Sequence, residues 1–322
     1  MKSLIPASDY KFLIIGGTSK AGTTSVFNYL ANHPQICSFT KETRFFLDPD
    51  YPLPSDKRHH RNDPAEYLSL FDSGKSHAKE NWRLEATPDY LHSPNTPRAI
   101  RETLPNVRLI FILREPISRL LSWYRFGQAV NEISPEMTFD DYVALQNEIG
   151  ESFPDGYRHP AFGALRHGRY SLNLERFLEV FGASLIDVLF YEDLCRDPSS
   201  FISSICRSAG ISEAYFGNYS FNIVNKTVQV RNARLHRAYF ETKDQLRKLV
   251  RHTPQIRSVL RQVRSAVDTM YQRMNVTKSR SIVMSSSTED FLSSYYGDEA
   301  SCLAKLLGAQ VPWAKKRPSG AN

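Results

Sequence analysis

Four short apolar runs, each closed by glycine, charge or a turn signal, punctuate the first two thirds of the chain: KFLIIGG at 11–17, NWRLEAT at 81–87, VRLIFILR at 107–114 and SLIDVLFYE at 184–192. Each is too short for a stable helix and rich in β-formers, which predicts buried strands. Apolar residues at helical spacing fill the stretches between them, over 22–32, 97–103, 116–130 and 170–182, the last stopped by Gly182. Strands alternating with helices predict an α/β protein whose central parallel sheet is covered by helices on both faces.

The segment from Asp48 to Arg61 carries too much proline and charge to continue this pattern and reads as a surface excursion. Beyond Thr227 the character changes. The basic runs RLHRAYFETKDQLRKLVRH and PQIRSVLRQVRSAVDTMYQRM keep an apolar stripe, and STEDFLSSYYGDEASCLAKLLG follows them. They predict a helical C-terminal part over about 228–312, packed on an α/β core of about 10–225 within a single domain spanning 1–322.

With 322 residues, 41% of them hydrophobic, the chain can bury a full core. A net charge of +7, distributed along the chain, predicts anionic ligands, while the absence of helix-turn-helix, zinc-finger and RNA-binding signatures speaks against nucleic acid. The apolar stretch near the N-terminus is too short for a signal peptide or a membrane span, so a soluble, cytoplasmic protein is expected. Cys37, Cys195, Cys206 and Cys302 stand singly, which predicts buried reduced thiols and no metal site.

Candidate chemistry begins at GGTSKAGTTS, residues 16–25, directly behind the first predicted strand. Gly17 and Gly22 have the separation of a phosphate-binding loop, but Thr23 stands where that loop has its lysine, and Lys20 lies inside it. Backbone N–H groups at the start of a helix, with the hydroxyls of Thr23, Thr24 and Ser25, make an anion cradle. The strand over 107–113 ends in Arg114 and Glu115 rather than in a magnesium-binding aspartate, so a magnesium triphosphate fits poorly. Lys20 is instead placed to touch an oxygen bridging a 5′-phosphate to a group in transfer. Ser122 follows Arg114 by eight residues, about two helical turns, so both can face one pocket.

These residues resemble the sulfotransferases that use 3′-phosphoadenosine 5′-phosphosulfate (PAPS), above all their carbohydrate and heparan-type branch. SKAGTTSVFNYLANHPQI looks like that family's 5′-phosphosulfate loop and RLIFILREPISRLLSWY like its 3′-phosphate motif. TKETRFF, EATPDYL, GRYSLNLERFLEVFG and VLFYEDLCRDP are further matches, and together they cover roughly residues 10–210. The resemblance implies a P-loop-like fold and transfer of a sulfuryl group to a hydroxyl or amine of a glycan, glycolipid or related small acceptor, with no metal; a homodimer is compatible with it. It implies Glu42 as the base and Lys20 as the partner of the leaving group. Arg114 and Ser122 would hold the 3′-phosphate, and the amides of Ala21, Gly22, Thr23, Thr24 and Ser25 the phosphosulfate.

A histidine base, as in the cytosolic small-molecule branch, is the rival, with His33, His92 and His159 available. On the acceptor side the candidates are Lys41 and Arg44 beside Glu42, Thr87 and Tyr90 in EATPDYL, and Arg158 and His159. Ala86 stands where the heparan pattern has lysine. The family's second 3′-phosphate loop is not found; Arg231, with Lys226, is the nearest substitute. Two other readings stay open: a P-loop kinase using Mg-ATP, and a non-catalytic module that binds polyanions through the basic C-terminal runs.

Overall fold

The computed structural model describes residues 10–38, 41–53, 64–71, 82–150, 157–221, 229–230, 276–277 and 282–314. The strands of its main sheet are β1 (Lys11–Gly17), β2 (Ile36–Cys37), β3 (Trp82–Ala86), β4 (Val107–Leu113) and β5 (Ile186–Phe190). These five pair in parallel, in the order β2-β3-β1-β4-β5, and Gln229–Val230 and Val276–Thr277 form a separate antiparallel pair. Around them run α1 (Thr23–Ala31), α2 (Pro64–Ser69), α3 (Thr96–Thr103), α4 (Pro116–Ala129), α5 (Phe139–Ile149), α6 (Tyr170–Phe181), α7 (Tyr191–Arg196), α8 (Pro198–Ala209), α9 (Ser286–Tyr295) and α10 (Glu299–Leu307). The expected architecture, a parallel sheet flanked by helices, is the one present.

Because side chains alternate along a strand, β1 sends Phe12 and Ile14 to one face and Leu13 and Ile15 to the other. The first face joins Leu109 and Phe111 of β4 to α3 and α6, with Leu303 of α10 in the same cluster. The second joins Leu84, Ile110 and Ile112 to α1 and to Phe201, Ile202 and Ile205 of α8. A third cluster unites α4 and α5 with Phe162, Leu165 and, from α9, Leu292 and Tyr296. Each fully buried Ile, Leu or Phe stabilises by about 1.5–3 kcal/mol. The sheet is therefore rigid, and the loops leaving the carboxyl ends of its strands sit on a fixed platform.

The fourth apolar run is shorter as a strand than expected: Ala183–Leu185 forms a 3₁₀ turn, and Tyr191 and Glu192 already belong to α7. Cys195 is exposed rather than buried. In the C-terminal part, α9 and α10 are seen packed on the core, and buried Glu299 accepts from Ser171 N at 2.8 Å and Ser171 Oγ at 3.0 Å, which ties α10 to the first turn of α6. The two long basic runs lie outside the described residues. No described helix is long and apolar enough to cross a membrane.

Candidate active site

The phosphate loop is shaped by close packing. A Cβ on Gly17 would lie 2.8 Å from Leu91 Cβ. Gly22, which precedes α1, has φ +83° and leaves a Cβ only 2.8 Å from Leu194 and 3.1 Å from Tyr191, so both conformation and space require glycine there. Thr18 N donates to Ile112 O at 2.8 Å and Thr18 Oγ1 lies 3.1 Å from His92 Nε2, so the loop is anchored to β4 and to the turn after β3. The N–H groups of Thr23 and Thr24, the first two of α1, have no backbone partner among the described residues, whereas Ser25 N already donates to Gly22 O at 3.0 Å.

Lys20 occupies the left-handed region, φ +72°, which a non-glycine residue adopts at a cost. Its carbonyl accepts from Arg114 Nη1 at 3.0 Å, and its ammonium lies 3.7 Å from the centre of the Phe126 ring. Burial, then the charges of Arg114 and Lys41, pull its pKa down to about 8. A cation so placed gains most from an incoming anion.

Arg114 is held from three directions: its guanidinium stacks 4.6 Å from the Tyr191 ring, its side chain bonds Lys20 O, and its carbonyl accepts from Tyr170 Oη at 2.7 Å. Glu115 caps α4 by accepting from Ile117 N at 3.0 Å and Ser118 N at 2.7 Å, so it does not neutralise Arg114. Ser122 is half-buried on the same helix. One turn on, Arg125 has a buried Nε without a hydrogen-bond partner, and burial and the charge of Arg114 lower its pKa. Two guanidiniums that repel each other, neither of them ion-paired to a carboxylate among the described residues, are suited to a phosphate. Arg125 was not foreseen; its position three residues after Ser122 was the available signal.

A cavity of about 500 Å³ opens beside the loop, lined by Lys20, Thr23, Thr24, Lys41, Glu42, Arg44, Asp89, Trp123, Phe126 and His159 among others. Glu42 is gripped on both oxygens, Oε1 by Lys41 Nζ at 2.8 Å and Oε2 by Arg44 Nη2 at 2.6 Å. Burial works to raise its pKa, but Lys41 and Arg44 outweigh it and hold the carboxyl below its ordinary range. Arg44 has φ +56°, so residues with positive φ stand on both sides of the cavity. Asp89, also on the wall, is pushed up to about 6 by burial and by the charge of Glu42.

Of the acceptor residues expected from sequence, Lys41, Arg44 and His159 line this cavity, and Thr87, Tyr90 and Arg158 do not. Thr87 and Tyr90 are fully buried around Glu85, which is 0% exposed. That carboxylate accepts from Thr43 Oγ1 at 2.6 Å, Tyr67 Oη at 2.9 Å, Thr87 Oγ1 at 2.9 Å and Tyr90 Oη at 3.1 Å. A buried carboxylate must be hydrogen-bonded, and that demand draws both side chains inward, away from the groove. Arg158 reaches toward Asp50 O at 3.5 Å instead. Ala21 and Ser25 do not offer free amides to a phosphosulfate as the resemblance implies: both are buried, Ala21 N donates to Thr18 O at 3.3 Å and Ser25 N to Gly22 O at 3.0 Å. Arg231 lies outside the described residues.

The three candidate histidines separate cleanly. His33 is buried against Ser212 O, and His92 faces Thr18 and stacks on His167 at 3.9 Å between ring centres. His159 alone reaches the cavity, with Nδ1 accepting from Ala161 N at 3.2 Å and Nε2 lying 3.6 Å from Glu132 Oε1.

The sulfotransferase domain family matches residues 11–258. The mouse (Mus musculus) bifunctional heparan sulfate N-deacetylase/N-sulfotransferase 4 is 26% identical over 210 residues, which cover 65% of this chain and 23% of that protein. The membrane-associated sulfotransferase kil1 of Dictyostelium discoideum is also 26% identical, over 65% of this chain and 57% of its own length. The chain thus spans from about a quarter to just over half of these relatives. A sulfotransferase from Alicyclobacillus acidocaldarius shares the fold with a TM-score of 0.64 at 21% identity, covering 94% of this chain and 97% of that one. With more than half of its length matched from β1 onward, the chain belongs to the sulfotransferase domain family.

Proposed function

We propose that the protein transfers a sulfuryl group from PAPS to a hydroxyl or amine of a glycan, glycolipid or related acceptor. The observation that carries this is the union of Lys20 and Arg114: one hydrogen bond joins the phosphate loop to the β4–α4 corner, so two cations serve a single anionic ligand from two sides. The donor fits the residues present. The N–H groups of Thr23 and Thr24 at the start of α1 suit the 5′-phosphosulfate, and Arg114, Arg125 and Ser122 suit the 3′-phosphate.

In this reading Lys20 stabilises the negative charge that grows on the departing phosphate oxygen. The acceptor enters from the side of Lys41, Arg44 and Trp123 and gives its proton to the carboxylate wall, where the resemblance points to Glu42. A kinase reading is disfavoured by Thr23: the residue in the place of the nucleotide-binding lysine is a 4% exposed hydroxyl. The relatives named for heparan sulfate support a carbohydrate acceptor. The test is calorimetric titration with adenosine 3′,5′-bisphosphate against Mg-ATP, on wild type and Arg114→Ala. Preferential binding of the bisphosphate, weakened at least tenfold by the substitution, is expected; preference for Mg-ATP would overturn the reading.

A further inference from the structure

Two carboxylates share the cavity wall, and their hydrogen bonding differs. Glu42 has no free oxygen, since Lys41 takes Oε1 and Arg44 takes Oε2. A proton arriving there must break one of two charge-assisted bonds. Asp89, on the 3₁₀ turn Pro88–His92, is 8% exposed. Its Oδ1 accepts one hydrogen bond, from Tyr51 Oη at 3.2 Å, and its Oδ2 has no partner among the described residues.

We infer that Asp89 takes the proton from the acceptor, while Glu42 is the fixed anion that holds Lys41 and Arg44 at the acceptor end. The inference rests on the sulfuryl-transfer reading above. In the step, the acceptor's O–H (or N–H) bond breaks and its proton passes to Oδ2 of Asp89. The freed lone pair forms the new bond to sulfur. The bond from sulfur to the 5′-phosphate oxygen breaks, and its electron pair stays on that oxygen, beside Lys20 and the start of α1.

The surroundings favour this division. Asp89 is faced by Glu42, which raises its pKa after burial does, and by Arg44, Tyr51 and Lys41, which lower it; Lys20 and His159 stand on the same cavity. The balance is a base poised near neutral pH, where general-base catalysis is most effective. Glu42, held below the carboxylate range, is the weaker base of the two.

The test compares wild type, Asp89→Asn and Glu42→Gln, with saturating PAPS and either water or N-desulfated heparin as acceptor. In wild type, kcat should fall tenfold per pH unit below about 6 and level off above it. Asp89→Asn should keep its affinity for adenosine 3′,5′-bisphosphate, lose at least about 100-fold in kcat and lose that acid limb. Glu42→Gln should keep the limb, displaced to lower pH because the neighbouring charge is gone. Carboxyl ¹³C titration of the bisphosphate complex reads the same division without turnover: a signal that titrates near 6 and vanishes in Asp89→Asn supports it. Bisphosphate binding intact with the limb retained in Asp89→Asn and lost in Glu42→Gln overturns the inference alone. Failure of wild type to bind the bisphosphate overturns the reading beneath it.

Discussion

The corner proposed to hold the donor and the cavity wall proposed to meet the acceptor are built on different principles. At the donor end, glycines, helix-start N–H groups and the carbonyl of Lys20 do the positioning, and the charges of Lys20, Arg114 and Arg125 all have one sign. At the acceptor end the charges alternate, Lys41, Glu42 and Arg44 in one chain segment with Asp89 across from it, and they largely cancel. The first arrangement demands an anion to be complete. The second is already neutralised and selects by shape and hydrogen bonding. A donor common to many enzymes calls for the former, and an acceptor particular to one calls for the latter.

The sharpest way to break this contrast is to remove charge from the donor end. Lys20→Met should lower turnover about 100- to 1000-fold, as losing one stabilising group at a developing oxyanion does. The same substitution should stabilise the ligand-free protein at pH 7 by about 1 kcal/mol, because the buried ammonium is a cost borne for function. The sign follows from linkage. Lys20 has a folded pKa of about 8 against an ordinary 10.5, so between those values the unfolded chain holds a proton that the folded one has lost. Wild-type stability therefore gains a contribution as pH rises through that window, and Lys20→Met should lack it; thermal melts from pH 7 to 10 check both effects.

At the acceptor end the corresponding break is structural. Glu85→Ala leaves the hydroxyls of Thr43, Tyr67, Thr87 and Tyr90 buried around an empty acceptor position. A loss of about 3–5 kcal/mol in denaturant titration is expected. Glu85→Gln, which keeps one acceptor oxygen, should lose less. Because Thr43 lies between Glu42 and Arg44, the alanine variant should also displace the ion pairs that line the cavity.

The same contrast explains what was legible in the sequence. Donor-end features are local: a glycine needed for a positive φ, a strand that stops before Arg114, a helix that carries Ser122 two turns on. Each is written within a few residues of where it acts. Thr87 and Tyr90 were misplaced because their direction is set by Glu85 and by Thr43 and Tyr67, 42 and 18 residues from it along the chain. Asp89 in PDY carries no local signal; its burial comes from Tyr51, and its neighbour Glu42 from another segment. Helix α5 carries its signal locally, since Thr138 and Asp141 form a capping box and Gly150 ends the helix. The short β2 has only Ile36 and Cys37, too few to show a period.

A finer cut separates the two cations at the proposed 3′-phosphate corner. Arg125→Lys keeps the charge but loses the planar donor fork, so affinity for adenosine 3′,5′-bisphosphate should drop about 5- to 10-fold. Ser122→Ala removes one neutral hydroxyl and should cost about 1 kcal/mol or less. An order of Arg125 below Ser122 would show that the sequence motif, not the buried guanidinium, defines the corner.

The smallest effect is also the most direct report on Lys20. At pH 8 about half of the free protein carries a neutral Lys20, and a bound phosphosulfate or phosphate favours its charged form. Binding of the bisphosphate should therefore take up close to half a proton at pH 8, less at pH 7, where the lysine is already charged. Calorimetry in two buffers of different ionisation enthalpy measures that number, and Lys20→Met should abolish the pH 8 component. Uptake that persists unchanged in the variant would move the proton to another group. It would also remove the evidence that the donor end is electrostatically incomplete without its anion.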